Sequence, residues 1–141
     1  MNKDDEAAVT RVLADYYKAF STLEPAAIAP HFHEPSLLIS PLGVTAAPTG
    51  ATVAQTFTSP MQALRARGYG RSELTMLNLE QLSASAMWAS GVAVRYKVDG
   101  AELERVGVTY VLNKSGGEWK IAVTILHDAD RVLRTQSSAA L

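Results

Sequence analysis

Apolar side chains recur at three- and four-residue intervals near the start of the chain: Val9, Val12, Leu13, Tyr16, Phe20 and Leu23. That spacing predicts one buried stripe of an amphipathic helix, with Arg11, Asp15 and Lys18 on the wet side. Asp4, Asp5 and Glu6 precede the stripe, where acids cap a helix and complement its dipole. Pro25 suits the first turn of a short second helix through Ile28, and Pro30 and Pro35 end it. Leu37-Leu38-Ile39 predicts a short strand closed by Pro41 and Gly43, with 44–50 returning as a brief hairpin partner. Thr52 is placed to cap a third helix carrying Val53 and Phe57. Ser59-Pro60 breaks or restarts that helix, and Met61 and Leu64 continue its apolar face to Gly68.

After Arg71 the pattern changes to strands, over 73–82, 86–98, 102–113 and 119–127. Asp99-Gly100 predicts a two-residue hairpin turn with both positions at positive φ, and 113–117 a looser glycine-containing turn. Successive hairpins imply an antiparallel sheet, and helices followed by strands an α+β domain, here 1–134 with a flexible tail over 135–141. The strands are apolar on both faces. Trp88, Val92, Val94 and Tyr96 point one way, and Met87, Ala89, Gly91 and Ala93 the other. One face is expected to carry the helices. The small-residue face is expected to meet a second copy of the chain as a homodimer, the alternative being a light covering of loops.

Composition narrows the chemistry. In 141 residues, 48% are hydrophobic, 19% are charged and the net charge is -1, which gives no electrostatic reason to expect nucleic acid or an anionic membrane surface. There is no cysteine, so disulfides and thiolate chemistry are excluded. The acidic N-terminus lacks a signal-peptide pattern, and no run approaches the ~20 apolar residues of a membrane span, so a cytoplasmic protein is expected. No phosphate loop, dinucleotide fingerprint or nucleophile elbow occurs, and no cofactor is expected.

The order of elements, the stretch 16–43 ending in Ser40-Pro41-Leu42-Gly43, and Gly117-Glu118-Trp119-Lys120-Ile121 in the last strand resemble the nuclear transport factor 2-like superfamily. That superfamily includes SnoaL-like polyketide cyclases, scytalone dehydratase and ketosteroid isomerase. The resemblance covers about residues 5–133. It implies a strongly curved antiparallel sheet around a cone-shaped pocket, closed by three N-terminal helices. It also places the oxyanion-stabilising tyrosine of ketosteroid isomerase on Tyr16, its general base on Ser40 and its second acid near Val108. Serine without an activating base cannot take a proton from carbon, and valine donates no hydrogen bond, so isomerisation by that mechanism is not expected.

The remaining candidates follow from residue type. Tyr16 is a hydrogen-bond donor to a bound carbonyl or a half-buried core tyrosine. His33 and His127 are the candidate bases. His127 adjoins Asp128, but neighbouring strand residues face opposite ways, so only one of them points into the pocket. A three-histidine metal site with His31 would need all three to converge, and none is expected. Phe20, Phe57 and Met61 on the helices, with Trp88, Val108 and Tyr110 on the strands, are the expected walls, and Ser40 and Asp128 complete the set. Tyr17 and Tyr96 either join the walls or pack sheet against helix. Arg95 and Arg105 clamp an anion or pair with Glu80, Glu102 or Glu104 across the sheet. Three functions fit: a module binding a small apolar or aromatic ligand; a SnoaL-like lyase, cyclase or isomerase with Tyr16 as electrophile and a histidine as base; or a dimerisation module with a vestigial cavity.

Overall fold

The computed structural model describes residues 2–135, so most of the expected C-terminal tail lies outside the described residues. Helix α1 runs Lys3–Phe20, α2 Pro25–Ile28 and α3 Gly50–Ala66; the strands are β1 Phe32–Ser40, β2 Gly43–Ala47, β3 Tyr69–Ser83, β4 Ala86–Lys97, β5 Glu102–Ser115 and β6 Glu118–His127. The cap of α1 is Asn2, whose side chain accepts the N–H groups of Asp4 and Asp5. Asp5 does more than complement the dipole. It is buried and accepts hydrogen bonds from Trp119 Nε1, Gln81 Nε2 and Lys114 Nζ at 3.0, 3.0 and 3.1 Å, tying the helix start to β6, β3 and β5. The Trp119 bond first, then those from Gln81 and Lys114, hold its carboxyl below the ordinary carboxylate range.

Helix α3 starts one turn earlier than expected, with Thr49 as cap and Thr52 bonding back to it. Pro60 does not break it. Ser59 and Pro60 are exposed, so the missing N–H faces water, while Val53, Phe57, Met61 and Leu64 keep one buried stripe.

The six strands form one sheet in the order β2-β1-β6-β5-β4-β3. It is mixed and not wholly antiparallel: β1 runs parallel to β6, because the chain leaves β2 through α3 and returns along β3 to β6 before closing beside β1. The two turns exchange the characters expected of them. At 98–100 only Gly100 has positive φ, and Lys97 and Ala101 close a three-residue loop. At 115–118, Gly116 and Gly117 both have positive φ and make the tight two-residue turn.

The sheet's faces are also the reverse of the dimer expectation. Met87, Ala89 and Ala93 join Val108, Tyr110 and Leu112 in the core beneath the helices. The large rings of α1 meet small side chains on β4, so the small-residue face is filled within the chain. Trp88, Ser90, Val92, Val94 and Tyr96 form the outer face. The segment after His127 crosses that face, with the Leu133 N–H donating to Ser90 Oγ at 2.9 Å. Gly107 permits this approach: a Cβ there would collide with the Asp128 carbonyl and the His127 ring.

One irregularity decides what the last strand presents to the inside. Val111 pairs with Val123 and Leu112 with Ile121, which leaves Ala122 as an extra residue. This bulge inverts the alternation of β6, so Ile121 before it and Thr124 and Leu126 after it all face inward.

Candidate functional site

Between α1, α3 and the inner face of the sheet lies a narrow chamber. The centre of a water molecule can move through about 40 Å³ of it. Tyr16, Tyr17 and Phe20 of α1 and Phe57 of α3 wall it on one side; Ala93, Val108, Tyr110, Thr124 and Leu126 wall it on the other. It shares Phe20, Leu38, Phe57, Arg95 and Leu126 with an outer vestibule of about 200 Å³, reaching Pro60, Leu64 and Arg67. The two spaces are therefore neighbours that share these side chains as walls.

Tyr16 stands at the centre of an aromatic cluster. Its ring meets Tyr17, Phe20, Phe32 and Tyr110 edge-on, with centroids 5.5, 6.0, 5.4 and 6.1 Å away. Tyr17 and Tyr110 share a hydrogen bond between their hydroxyls at 2.8 Å. Burial pushes all three phenols well above their ordinary range, so each is a neutral donor near neutral pH and not a base. Thr124 is 2% exposed, and its Oγ1 is the buried side-chain polar atom without a hydrogen-bond partner among the described residues. An unpaired buried hydroxyl costs about 1–3 kcal/mol, so its position in the wall of a cavity calls for an explanation.

Arg95 and Arg67 stand at the entrance. Both donate to Glu104, at 2.6 and 2.8 Å, and the Arg95 guanidinium lies 5.7 Å from the Phe20 ring centroid. Burial raises the Glu104 pKa, but the bonds from Arg67 and Arg95 outweigh it and hold the carboxyl below its ordinary range. Arg105 pairs with Glu102 on its own strand.

The structure thus brings Tyr16, Phe20, Phe57, Val108 and Tyr110 together around one space. It places the other expected residues elsewhere. His127 faces outward because of the bulge at Ala122, with Nε2 at 2.8 Å from Thr109 Oγ1 and Nδ1 donating to the Asp128 carbonyl at 2.9 Å. Asp128 is exposed beyond the end of β6, so neither member of the pair lines the pocket. His33 lies at the irregular start of β1, its Nδ1 donating to the Pro35 carbonyl at 2.8 Å. Ser40 ends β1 and accepts the Leu42 N–H, closing the turn to β2. Trp88 alternates with Met87 and Ala89 and falls on the outer face. Tyr96 is outward too, beneath the Arg71 guanidinium at 4.3 Å. Met61 is core, beside Leu23 and Pro25 under α2. His31 meets the Tyr16 ring edge-on at 6.5 Å, where burial lowers its pKa. Among the described residues no three His, Asp or Glu side chains are grouped to hold a metal ion.

Sequence reasoning missed Thr124, Leu126, Ser72, Leu38 and Arg67. Regular alternation back from Trp119 and Ile121 would have put Val123, Ile125 and His127 inside. Only the register of β5 against β6 reveals the inversion.

The fold has close likenesses among solved structures, all at low identity. A Nostoc punctiforme protein of unknown function with a cystatin-like fold superposes with a TM-score of 0.77 at 12% identity, covering 90% of this chain and 92% of that one. A putative aromatic ring hydroxylase from Novosphingobium aromaticivorans gives 0.72 at 15% identity, with 96% of each chain covered. A ketosteroid isomerase-like protein from Erwinia carotovora atroseptica gives 0.66 at 18% identity, covering 89% and 97%. Among curated proteins none matches the sequence. Among the described residues no helix is long and apolar enough to cross a membrane. Residues 4–129 match the model of the family described as NTF2-like protein (DUF6841), and the chain belongs to that family.

Proposed function

We propose that this chain is a small-molecule-binding domain whose ligand enters past Phe57 and Arg95 and ends against Tyr16 and Thr124. The observation that carries this reading is the unpaired Thr124 hydroxyl in the wall of a mostly apolar chamber. The hydroxyl is closed off as the walls stand, so a polar atom of a ligand that parts them supplies the partner that the protein does not. Tyr16, held neutral by burial, is a second donor on the facing wall of the same cavity. The inner chamber is small beside the ~150 Å³ of a cavity that holds benzene, so a ring enters it only as the surrounding side chains give way, and the rest of the ligand lies in the vestibule. The names of two structural neighbours, a ketosteroid isomerase-like protein and a putative aromatic ring hydroxylase, point to ring compounds as the first class to try.

The enzymatic alternative loses its base. Among the described residues no histidine or carboxylate lines the chamber or the vestibule, so the two hydroxyls can polarise a bound carbonyl but this lining offers no side chain to take a proton from carbon. Binding is therefore the better-supported function. The reading keeps a cytoplasmic homodimer, with its contact on the face away from the helices; a monomer mass by light scattering at micromolar concentration would remove the dimer.

Thermal-shift screening against aromatic, polyketide-like and steroid-like compounds tests the proposal. A ligand at a hundred times its Kd stabilises the fold by about 2.7 kcal/mol. Hits are expected from ring compounds, and Tyr16→Phe is expected to reduce their shifts. If no compound raises the midpoint, the binding reading is wrong and the vestigial-cavity reading takes its place.

A further inference from the structure

The pocket's charge is one-sided. Among the described residues, Arg67, just beyond the end of α3, and Arg95, inside β4, are the only charged residues lining the vestibule, and Arg95 is the only one lining the inner chamber. Glu104, opposite Arg95 in the β4–β5 register, is not among the lining residues of either space. It takes one N–H from each arginine. Two guanidinium charges against one carboxylate leave a net single positive charge at the entrance, and each guanidinium keeps further N–H donors. The Arg95 side chain is only 18% exposed and lies near the Phe20 ring, so water competes weakly for its free donors. A cation held this way at the mouth of an apolar, aromatic chamber suits a ligand with an anionic head and an apolar body.

Resting on the binding function above, we infer that the ligand is a small organic carboxylate. Its carboxylate lies on Arg95 and Arg67 in the vestibule, and its apolar end lies in the inner chamber against Tyr16, Phe20 and Tyr110. The purely structural alternative is that both arginines serve only to hold Glu104, and that charge in the ligand is irrelevant.

Isothermal titration of the full chain with 3-phenylpropanoate and with its neutral counterpart 3-phenylpropan-1-ol separates the two. The anion is expected to bind at least about tenfold more tightly than the alcohol, with the preference shrinking as salt is raised. Arg95→Gln should abolish the preference, the anion then binding no more tightly than the alcohol. Arg67→Gln, at a half-exposed side chain whose loss leaves the Arg95–Glu104 pair in place, should reduce it severalfold and guards against misfolding of the first variant. Equal binding of acid and alcohol, or tighter binding of the alcohol, overturns the carboxylate inference and leaves the binding function standing. If neither binds while indole or another neutral ring compound shifts the melting midpoint, the carboxylate inference again falls alone. If nothing binds or shifts, both fall.

Discussion

The two faces of the sheet treat their polar groups in opposite ways. On the outer face, the Leu133 N–H donates to Ser90 Oγ, Ser90 bonds to Thr109 at 2.8 Å, and Thr109 bonds to His127 Nε2 at 2.8 Å. His127 Nδ1 ends the series on the Asp128 carbonyl, which can only accept. Each buried hydroxyl there has partners, and the series holds the C-terminal segment against the sheet. On the inner face, Thr124 sits one strand from Thr109 with the same side chain and comparable burial, yet it has no partner. A fold that satisfies its polar groups on one side and leaves one open on the other marks the open side as the place for something else to bind.

Substitutions on the two faces should therefore differ in size and in sign. The largest effect is expected on the outer face. Gly107→Ala drives a Cβ into the Asp128 carbonyl and the His127 ring, and should cost up to about 3 kcal/mol in chemical denaturation. Its amides over 129–135 should then exchange faster. An unchanged midpoint would mean that this segment does not lie where it is described. Thr109→Val comes next. It strips Ser90 and His127 of a shared partner and should cost about 2 kcal/mol. Thr124→Val should do the reverse, removing a hydroxyl that bonds to nothing and raising stability by up to about 1 kcal/mol in the same assay. Equal losses from the two threonine variants would erase the distinction between the faces.

The last effect is read against pH and concerns neither face but the anchor between helix and sheet. The Asp5 carboxyl is held below its ordinary value near 3.8, so the folded state binds that proton less readily than the unfolded chain. Its contribution is complete above that value and is lost as pH falls through the lower, folded-state pKa. Denaturant midpoints should decline more steeply below about pH 4 in the native chain than in Asp5→Asn. Parallel curves would show that the carboxylate adds nothing as an anion.

Much of the fold was legible in the chain because periodicity is a local signal. The stripe from Val9 to Leu23, the four long strands and the glycines at the turns each declare themselves within about ten residues. Tyr16 was legible as a buried position on the stripe of the first helix, and its place at the chamber followed from the resemblance, since Val9 and Leu13 on the same stripe do not line it. The facing of the last strand was not. The bulge at Ala122 carries no glycine or proline to announce it, and its effect is to exchange His127 for Thr124 and Leu126 on the inside. The same limit hid the sheet's orientation. Trp88 and Ala89 alternate whichever face is covered, and only the bulk of Tyr16, Tyr17 and Phe20 overhead decides that the small residues lie beneath. Asp5 read as a helix-dipole acid because its partners lie 76, 109 and 114 positions away along the chain.

Methyl-resolved NMR titration of the whole chain with indole tests whether the inner chamber is the binding site. The methyl groups of Leu38, Ala93, Val108, Thr124 and Leu126 should shift and saturate together, while those of Val92, Val94, Val111 and Thr109 on the outer face stay in place. Shifts confined to the outer face, or no shifts at saturating indole, would contradict the inner chamber as the site.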